Sequence, residues 1–336
     1  MNVTSNDKVE ASVENMPMAK ALNVAMSDAL REDETVLLMG EDIGTLGGVF
    51  RVTQGLKQEF GPQRVMDSPL GEAGIVGSAI GLAMRGYRPV CEIQFDGFVF
   101  PSFNQITTQL AKIRARSRGS VSLPVVIRIP YGGNIGSIEH HSESPEALFA
   151  HTAGLRVMTP SNSQDAYSMM REAIASEDPV IFLEPKRRYW LKGEVDRATA
   201  APGSQRAQIV REGRDLTLAA YGPLVPVALA AAEAAREDGL SIEVMDLRSI
   251  SPLDFDAVEA SVKKTGRLIV THEAPTFGGM GGELAAEIGQ RCFYSLEAPV
   301  LRVGAFHMPY PVAAVEEDYL PNIDRLLEAI DRSLNY

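Results

Sequence analysis

The feature that most constrains the fold is a regular alternation, from Met18 onward, of short apolar β-rich runs with amphipathic helical patterns. Parallel strands need a crossover between them, usually a helix, so this alternation is typical of βα units. In the first half, strands are predicted at residues 36–39, 90–94, 125–129, 155–158 and 180–183. Helices are predicted at residues 19–30, 75–85, 103–116 and 164–175. The pattern indicates an α/β domain with helices on both faces of a largely parallel sheet.

The same alternation resumes after a polar stretch of small residues that includes Ala198, Pro202, Gly203 and Ser204. This composition is typical of a linker. Beyond it, strands are predicted at residues 216–220, 242–245 and 268–271, and helices at residues 225–236 and 283–290. We therefore predict two three-layer α/β domains, at residues 16–192 and 209–336, with a linker at 193–208. A length of 336 residues suits two domains.

Composition and charge exclude several classes of protein. A formal net charge of -12 repels nucleic acid and anionic membrane surfaces. The longest apolar runs are too short to span a bilayer, and residues 1–16 match neither a secretory signal nor a transit peptide. Cys91 and Cys292 each lie in an apolar stretch, which supports neither a disulfide framework nor a zinc site. We expect a soluble enzyme of a reducing compartment, the bacterial cytoplasm.

Glu72 is the most informative acid of the chain. It is the only acidic residue between Ser68 and Arg85, it lies between glycines, and a helical face of small and apolar residues follows it. Partial desolvation would favour the neutral carboxyl group and allow it to share a proton. The alternative, which the spacing alone favours, is an exposed acid stabilised by the helix dipole. The glycines at 74, 77 and 81 either let another helix approach or serve internal packing.

A second stretch follows the predicted strand at residues 90–94 and reads Glu-Ile-Gln-Phe-Asp-Gly-Phe-Val-Phe-Pro over residues 92–101. Ligands of open parallel sheets bind at the carboxyl ends of the strands. The aromatic side chains there could stack on a flat ring. The alternative is that these phenylalanines pack in the core.

A third stretch contains two adjacent histidines, His140 and His141, after the glycine-rich residues 131–136. Adjacent side chains point in different directions, so a shared metal ion is not expected and no metal site is predicted. One histidine acting as an acid, a base or an anion binder in a loop is the functional interpretation. A solvated loop is the alternative.

Other clusters carry weaker signals. The glycines at 44–48, 132–136 and 278–282 match neither a Walker loop nor a dinucleotide fingerprint, which indicates turns and close packing. The basic run at residues 186–188 is interpreted as a solvated face.

Six short sequence motifs, which we call phrases, occur in an order that points to a family. They are Gly-Glu-Asp at 40–42, Gly-Gly-Val-Phe-Arg at 47–51, Ser-Pro-Leu-Gly-Glu at 68–72, Glu-Ile-Gln-Phe at 92–95, His-Ser-Glu-Ser-Pro-Glu at 141–146 and Val-Met-Asp-Leu-Arg at 244–248. Over residues 18–336 the chain resembles the β subunits of thiamine-diphosphate-dependent 2-oxo acid dehydrogenases. The resemblance implies a transketolase-like pyrimidine-binding domain followed by a transketolase C-terminal-like domain.

The resemblance assigns two catalytic residues. Glu72 falls on the family's carboxylate that hydrogen-bonds the aminopyrimidine ring nitrogen and so promotes loss of the thiazolium proton. His141, not His140, falls on the active-site histidine, near the substrate carboxylate and the incoming lipoyl group. The implied reaction is oxidative decarboxylation of a 2-oxo acid with reductive acylation of a lipoyl group.

Four further positions are implied to bind the cofactor. Phe98 matches the aromatic residue beside the pyrimidine, and Leu70 and Gln94 match neighbouring pocket positions. Glu41 matches an acid that lies toward the channel between paired active sites. Each assignment comes from the resemblance alone.

The resemblance also implies partners. The family's Gly-Asp-Gly motif for magnesium and diphosphate has no match here, because those ligands belong to an α subunit. An α2β2 heterotetramer is implied, which docks a dihydrolipoyl acyltransferase core and its lipoyl domain through the C-terminal domain. Some relatives bind potassium in this subunit, but Ala173 and Ser176 replace its side-chain ligands, which leaves that ion uncertain.

The substrate is favoured to be a branched-chain 2-oxo acid, because residues 98–101 and 142–146 look more like the branched-chain enzymes. Pro101 stands where some pyruvate enzymes carry an acid. Two departures stand against this pattern: Phe98 is a tyrosine in some branched-chain relatives, and His307 replaces a common aspartate. The alternatives are a pyruvate or acetoin dehydrogenase subunit and a non-catalytic scaffold subunit; the presence of Glu72 and His141 argues against the scaffold.

Overall fold

The computed structural model describes residues 13–198, 203 and 206–336. The strands are β1 Val13–Pro17, β2 Val36–Gly40, β3 Val65–Asp67, β4 Arg88–Glu92, β5 Val126–Tyr131, β6 Arg156–Met158, β7 Val180–Pro185, β8 Lys192–Asp196, β9 Gln208–Arg211, β10 Leu216–Ala220, β11 Ile242–Asp246, β12 Ser249–Ser251, β13 Leu268–Pro275 and β14 Leu301–Ala305.

The α-helices are α1 Met18–Glu32, α2 Leu56–Phe60, α3 Glu72–Met84, α4 Ala111–Arg116, α5 Glu146–Ala150, α6 Ser163–Ala175, α7 Val225–Glu237, α8 Phe255–Thr265, α9 Met280–Arg291, α10 Glu316–Tyr319 and α11 Ile323–Leu334. A π-helical segment, Gln105–Leu110, precedes α4, and 3₁₀ turns include Asp96–Ser102, Glu139–His141 and Lys186–Arg188.

The first domain is built on a seven-stranded sheet with the order β12-β6-β7-β5-β4-β2-β3, in which the edge strand β12 comes from the second domain. Its pairs are parallel except for β12, which runs antiparallel to β6. Alternate residues of each strand face opposite sides, as the two-residue period of a strand requires. On β7, for example, Val180 and Phe182 pack with α1 and α6, whereas Ile181 and Leu183 pack on the side of α3 and α4. The predicted three-layer arrangement is confirmed.

The second domain contains a five-stranded sheet with the order β14-β13-β10-β11-β9, in which only β9 is antiparallel to its neighbour. Helices α7 and α11 cover its outer face. The inner face, which includes Ala219, Met245 and Val270, joins the same apolar cluster as α3 and the first sheet. The two domains therefore share one continuous core.

The predicted linker at 193–208 needs correction at both ends. Residues 193–196 belong to β8, which pairs antiparallel with β1, and Gln208 begins β9. Because only Val195 of β8 is buried, the strand lacks the apolar pattern that would have revealed it. Residues 199–202, 204 and 205 of the predicted linker lie outside the described residues, as do residues 1–12 of the segment in which no targeting signal was found.

Other predicted elements differ in detail. The helix predicted at 103–116 is a π-helical segment followed by α4, and the helix predicted at 75–85 begins earlier, at Glu72. Helices α8 and α11 were missed although each has a side-chain cap, from Asp254 and Asn322 respectively. Among the described residues, none of the helices is long and apolar enough to cross a membrane.

Candidate active site

The predicted site residues lie beyond the carboxyl ends of neighbouring parallel strands. Glu41 follows β2, Leu70 and Glu72 follow β3, Gln94 follows β4, and the loop with His141 follows β5. In the sheet these strands are ordered β5-β4-β2-β3, so their ends form one edge. Residues separated by up to 100 positions in sequence are thereby brought to one side of the domain.

Hydrogen bonds connect the first group of predicted residues. The side chain of Glu41 accepts from the backbone N–H of Gly71 at 3.1 Å, directly before Glu72. The amide of Gln94 donates to the backbone carbonyl of Glu41 at 3.3 Å. Burial raises the pKa of Glu41, and the nearby Glu72 adds to that shift, whereas the Gly71 N–H opposes it. Glu41, Gln94 and the start of α3 are therefore one connected unit.

Glu72 is the first residue of α3 and is only partly exposed. Its position at a helix N-terminus agrees with both interpretations of this acid, as a proton-sharing group and as a dipole-stabilised residue. A Cβ placed at Gly74, Gly77 or Gly81 would meet no atom within 4 Å. Internal packing is therefore not the reason for these glycines, and the helix face they form is open to another molecule.

Aromatic rings surround the second group. The ring of His141 lies 4.0 Å from that of Phe95 and 5.1 Å from that of Phe98, measured between centroids. Phe95 and Phe98 are partly buried and meet edge to face at 5.9 Å. These phenylalanines are not simple core residues, since each keeps part of its ring open beside the histidine.

His141 is held in a state suited to proton transfer. Burial lowers its pKa below the ordinary value, and the neighbouring His140 and Lys186 lower it further. The imidazole is therefore neutral near pH 7. Its Nδ1 atom is buried and has no hydrogen-bond partner within the described residues. Such an orphaned ring nitrogen at a partly open edge is a binding group for a ligand.

Lys186 was predicted to lie on a solvated face, and this prediction is wrong. The side chain is buried, its Nζ lies 2.6 Å from Asp96 Oδ1, and it also donates to the carbonyl of His141 at 2.6 Å. Burial lowers the pKa of Lys186 and raises that of Asp96, while their mutual attraction opposes both shifts. The short basic run gave no signal of this role, because its partner is 90 residues away in sequence.

A second buried network lies among the strands that carry the site. Arg128 on β5 makes a two-pronged contact with Glu184 on β7, at 2.7 and 2.9 Å, and bonds Glu92 on β4 at 2.7 Å. Tyr189 donates to Glu184 at 2.6 Å. Because every charge in this network has a partner, it can hold the strands in register without an exposed group.

An apolar rim surrounds the site. It consists of Leu46, Val49, Leu70, Phe100, Ile135 and Ile138, on loops that follow β2, β3, β4 and β5, and each side chain is between 40% and 85% exposed. Leu70 is the most exposed, at 85%. A rim of large apolar side chains around a polar centre is typical of a surface that another chain covers.

Metal ligands and reactive thiols are not part of this site. The described residues contain no group of three or more histidine, cysteine or acidic residues placed to hold a metal ion. Cys91 and Cys292 are both free and buried. Desolvation raises the pKa of the Cys91 thiol to about 12, which makes it a poor nucleophile.

Comparison with known proteins gives the two domains their families. Residues 14–190 match the transketolase pyrimidine-binding domain, and residues 205–326 match the transketolase C-terminal domain. The first match includes every predicted site residue.

Close relatives cover nearly the whole chain. A pyruvate dehydrogenase E1 component subunit beta of Leifsonia xyli is 61% identical over 97% of both chains. A 3-methyl-2-oxobutanoate dehydrogenase subunit beta of Mycobacterium tuberculosis is 51% identical over 96% of this chain and 92% of the relative. A pyruvate dehydrogenase E1 component subunit beta of Staphylococcus epidermidis is 44% identical over 96% of this chain and 99% of the relative.

A solved structure agrees on the fold. The chain superposes on a split-gene transketolase described as an inactive β4 tetramer with a TM-score of 0.79, over 95% of this chain and 98% of that one, at 20% identity. This structure confirms the expected fold, and the relatives and the two domain matches show the family. The chain belongs to the β subunits of the thiamine-diphosphate-dependent 2-oxo acid dehydrogenases.

Proposed function

We propose that this chain supplies the pyrimidine half of a thiamine diphosphate site and needs an α subunit for the other half. The observation that carries the proposal is the convergence of Glu72, Gln94, Phe98 and His141 on one partly open edge of the first sheet. A carboxylate, an amide and an aromatic face together suit a flat, nitrogen-containing ring. Magnesium and the diphosphate are assigned to the partner, because the Gly-Asp-Gly motif that holds them in the family has no match in this sequence.

Each residue has a stated task in this proposal. Bound thiamine diphosphate supplies an electron sink for decarboxylation. Glu72 hydrogen-bonds a pyrimidine nitrogen and shares a proton with it, in a site that the partner closes from water. Phe98 lies against the ring, and Glu41 fixes the N-terminus of α3 through Gly71. His141, which is neutral at rest, would take up a proton from solvent and donate it to the lipoyl thiolate that forms as the lipoyl S–S bond breaks during acyl transfer.

The apolar rim supports the partner assignment. Its side chains, Leu70 above all, would be removed from water by an α subunit placed over the site, and apolar burial of this kind drives association. We propose an α2β2 heterotetramer, with the second domain docking a dihydrolipoyl acyltransferase core. The bacterial relatives fit a cytoplasmic location for this assembly, which we include in the proposal.

The potassium site of some relatives is proposed to be absent here. The oxygen atoms around Ser176 already have donors: Arg156 donates to its hydroxyl at 3.1 Å, and Arg88 donates to the carbonyls of Ile174 and Ser176 at 3.2 Å each. A guanidinium group thus provides positive charge at this helix end. Equal thermal midpoints in potassium and tetramethylammonium salts would support this substitution, and a higher midpoint in potassium would contradict it.

The substrate is proposed to be a branched-chain 2-oxo acid, on the strength of the phrases at 98–101 and 142–146 and of the relative named for 3-methyl-2-oxobutanoate. Pyruvate is the second candidate, because the relative at 61% identity is named for pyruvate. Both are 2-oxo acids, so Glu72 and His141 keep the same tasks with either one.

The decisive experiment measures 2-oxo acid decarboxylation by this chain alone and after mixing with its α subunit, with thiamine diphosphate and magnesium present. Activity only in the mixture supports the shared site. A higher kcat/KM for branched-chain acids than for pyruvate supports the first substrate, and the reverse supports the second. Full activity of the isolated chain would contradict the shared site. Unchanged activity of the mixture after Glu72→Gln would favour a scaffold subunit instead.

A further inference from the structure

The loop that carries His141 is closed on itself. We call residues 132–143 the histidine loop. Its two ends meet through the N–H of Gly132, which donates to the carbonyl of Glu143 at 2.9 Å. Near its end, the N–H of His141 donates to the carbonyl of Ile138 at 3.0 Å, and the N–H of Ser142 to the carbonyl of Glu139 at 3.0 Å. A displacement of one part of this short closed loop therefore displaces the histidine as well.

The first domain holds one side of the histidine loop. Asp96 Oδ2 accepts from the N–H of Glu143 at 2.9 Å, and Lys186 bonds both Asp96 and the carbonyl of His141. Gly97 allows this contact, because a Cβ at that position would overlap the backbone of His140. The end of the loop is thus fixed to the first sheet.

The second domain holds the opposite side. Glu316 accepts from the N–H of Asn134 at 2.6 Å and from the N–H of Gly136 at 3.3 Å. The hydroxyl of Tyr310 donates to the same carboxylate. Gly133 lies so close to Tyr310 that a Cβ there would overlap the phenol oxygen. The two bonds from the histidine loop to Glu316 join residues 182 and 180 positions apart in sequence.

Burial makes this contact specific. Glu316 is 4% exposed and Tyr310 is 7% exposed. A buried carboxylate is costly unless its oxygen atoms accept hydrogen bonds, and two of its three donors here are amides of the histidine loop. The carboxylate therefore favours the one loop conformation that presents both amides to it.

We propose that Glu316, a residue of the second domain, is a positioning residue that holds the histidine loop so that His141 faces the incoming lipoyl group. This inference rests on the proposed role of His141 in acyl transfer. It gives the second domain a part in the chemistry that is separate from assembly. The competing explanation is that Glu316 only stabilises the contact between the domains.

The test uses the holoenzyme assembled with the α subunit and measures two rates. One is decarboxylation with an artificial electron acceptor, and the other is reductive acylation of a lipoyl domain. Glu316→Gln keeps the shape of the side chain but replaces one acceptor oxygen with a donor. We expect acylation kcat to fall about tenfold or more, because small misplacement of a reacting group is costly. Decarboxylation is expected to fall less than acylation, because Glu72 is untouched and the proton transfer proposed for His141 belongs to the acylation step.

Glu317→Gln is the matched control, because this neighbouring side chain is exposed and lies outside the contact. It is expected to leave both rates unchanged. Hydrogen exchange gives a readout independent of activity: the amides of Asn134 and Gly136 should exchange faster in Glu316→Gln than in Glu317→Gln. Tyr310→Phe, which removes one donor to Glu316, should lower the acylation rate in the same way but by less. This variant replaces Glu316→Gln in the test if Glu316→Gln folds poorly.

The outcomes separate this inference from the role of His141. Equal losses of both rates in Glu316→Gln, or no loss, overturn the positioning role. An acylation rate that falls in His141→Ala but not in Glu316→Gln overturns this inference alone. An acylation rate that survives His141→Ala overturns the role of His141 and the inference with it.

Discussion

The two parallel sheets of this protein use the same edge in opposite ways. At the carboxyl edge of the first sheet, Glu72, Phe98 and His141 remain partly open. At the carboxyl edge of the second sheet, Asp246, His272 and Glu273 are buried at 3% exposure or less.

Two of these buried groups, Asp246 and Glu273, bind the first domain. Asp246 accepts from the hydroxyl of Ser161 at 2.5 Å, and Glu273 accepts from the N–H of Gly133 and lies 3.2 Å from Arg187. In many parallel sheets the carboxyl edge holds a ligand. Here this edge of the second sheet is buried in the contact between the two domains. The second domain is thus already bound through its own carboxyl edge, and it leaves the carboxyl edge of the first sheet partly open. We therefore expect another chain to cover that open edge.

The largest effect is expected at the open edge. Glu72→Gln should lower the activity of the assembled enzyme by about 10²- to 10⁴-fold, the range for loss of a positioned proton-transfer group. It should leave the thermal midpoint nearly unchanged, because the side chain is partly exposed. Steady-state kinetics and thermal melting measure both effects.

Glu283→Gln is the control for Glu72→Gln, since Glu283 also lies in the first turn of a helix but belongs to the second domain. Full activity is expected of it. If Glu72→Gln also keeps full activity, then Glu72 only stabilises the helix. The open edge of the first sheet would then have no catalytic role that distinguishes it from the buried edge of the second.

Behind the open edge, stability is expected to depend on paired charges. Arg128→Met leaves Glu92 and Glu184 buried without their cation and should lower the free energy of unfolding by about 3–5 kcal/mol. Arg31→Met breaks the exposed pair with Glu59 and a contact with Asp28, which keeps Arg197 as a partner, and should cost less than about 1 kcal/mol. Urea unfolding of the two variants provides the comparison, and similar losses would mean that the buried network is not a stabilising unit.

The buried joint is expected to depend on pH. Glu146 accepts from Tyr221 of the second domain at 2.8 Å, and burial raises its pKa from 4.5 to about 8. The folded chain keeps this proton where the unfolded chain has released it, so the free energy of unfolding should fall as pH rises from 4.5 to 8. The loss attributable to this group over that pH range should be about 4 kcal/mol.

Glu146→Gln should remove that part of the pH dependence and raise stability at the alkaline end of the range, whereas Glu139→Gln, an exposed change, should not. Part of the pH dependence of the free energy of unfolding should persist, because burial also raises the pKa of Asp246, to about 7. Parallel curves for the wild-type chain and Glu146→Gln would refute a protonated Glu146 at the joint. The measurement is chemical unfolding at a series of pH values.

The smallest effect concerns the open face of α3. Gly77→Ala should stabilise the isolated chain by about 0.5–1 kcal/mol, because alanine favours a helix more than glycine does and a Cβ there meets no atom. If a helix of another chain packs on this face, the same change should weaken assembly. Melting of the isolated chain and titration with the α subunit separate the two results. Unchanged assembly would mean that the face remains exposed.

The amino-acid pattern predicted the fold class and the positions of most of the longer elements, although α8 and α11 were missed. Apolar runs such as β10 and amphipathic patterns such as α7 are local, and their periods follow from backbone geometry. The six ordered phrases indicated the family and the candidate residues. The relatives confirm the family. The assignments of individual site residues stay predictions. Elements without a strong local pattern, such as β8 and β12, were not predictable in this way.

Which distant groups meet depends on how the sheets and helices pack. Nothing near Lys186 in sequence indicates that it would be buried against Asp96, and nothing near Glu316 indicates that it would hold the amides of Asn134 and Gly136. Such contacts depend on strand order and on the way one sheet packs against the other. The physical reason is that hydrophobic periodicity reports which face of an element is buried, whereas the partner of a buried charge is set by the packing of elements far apart in the chain.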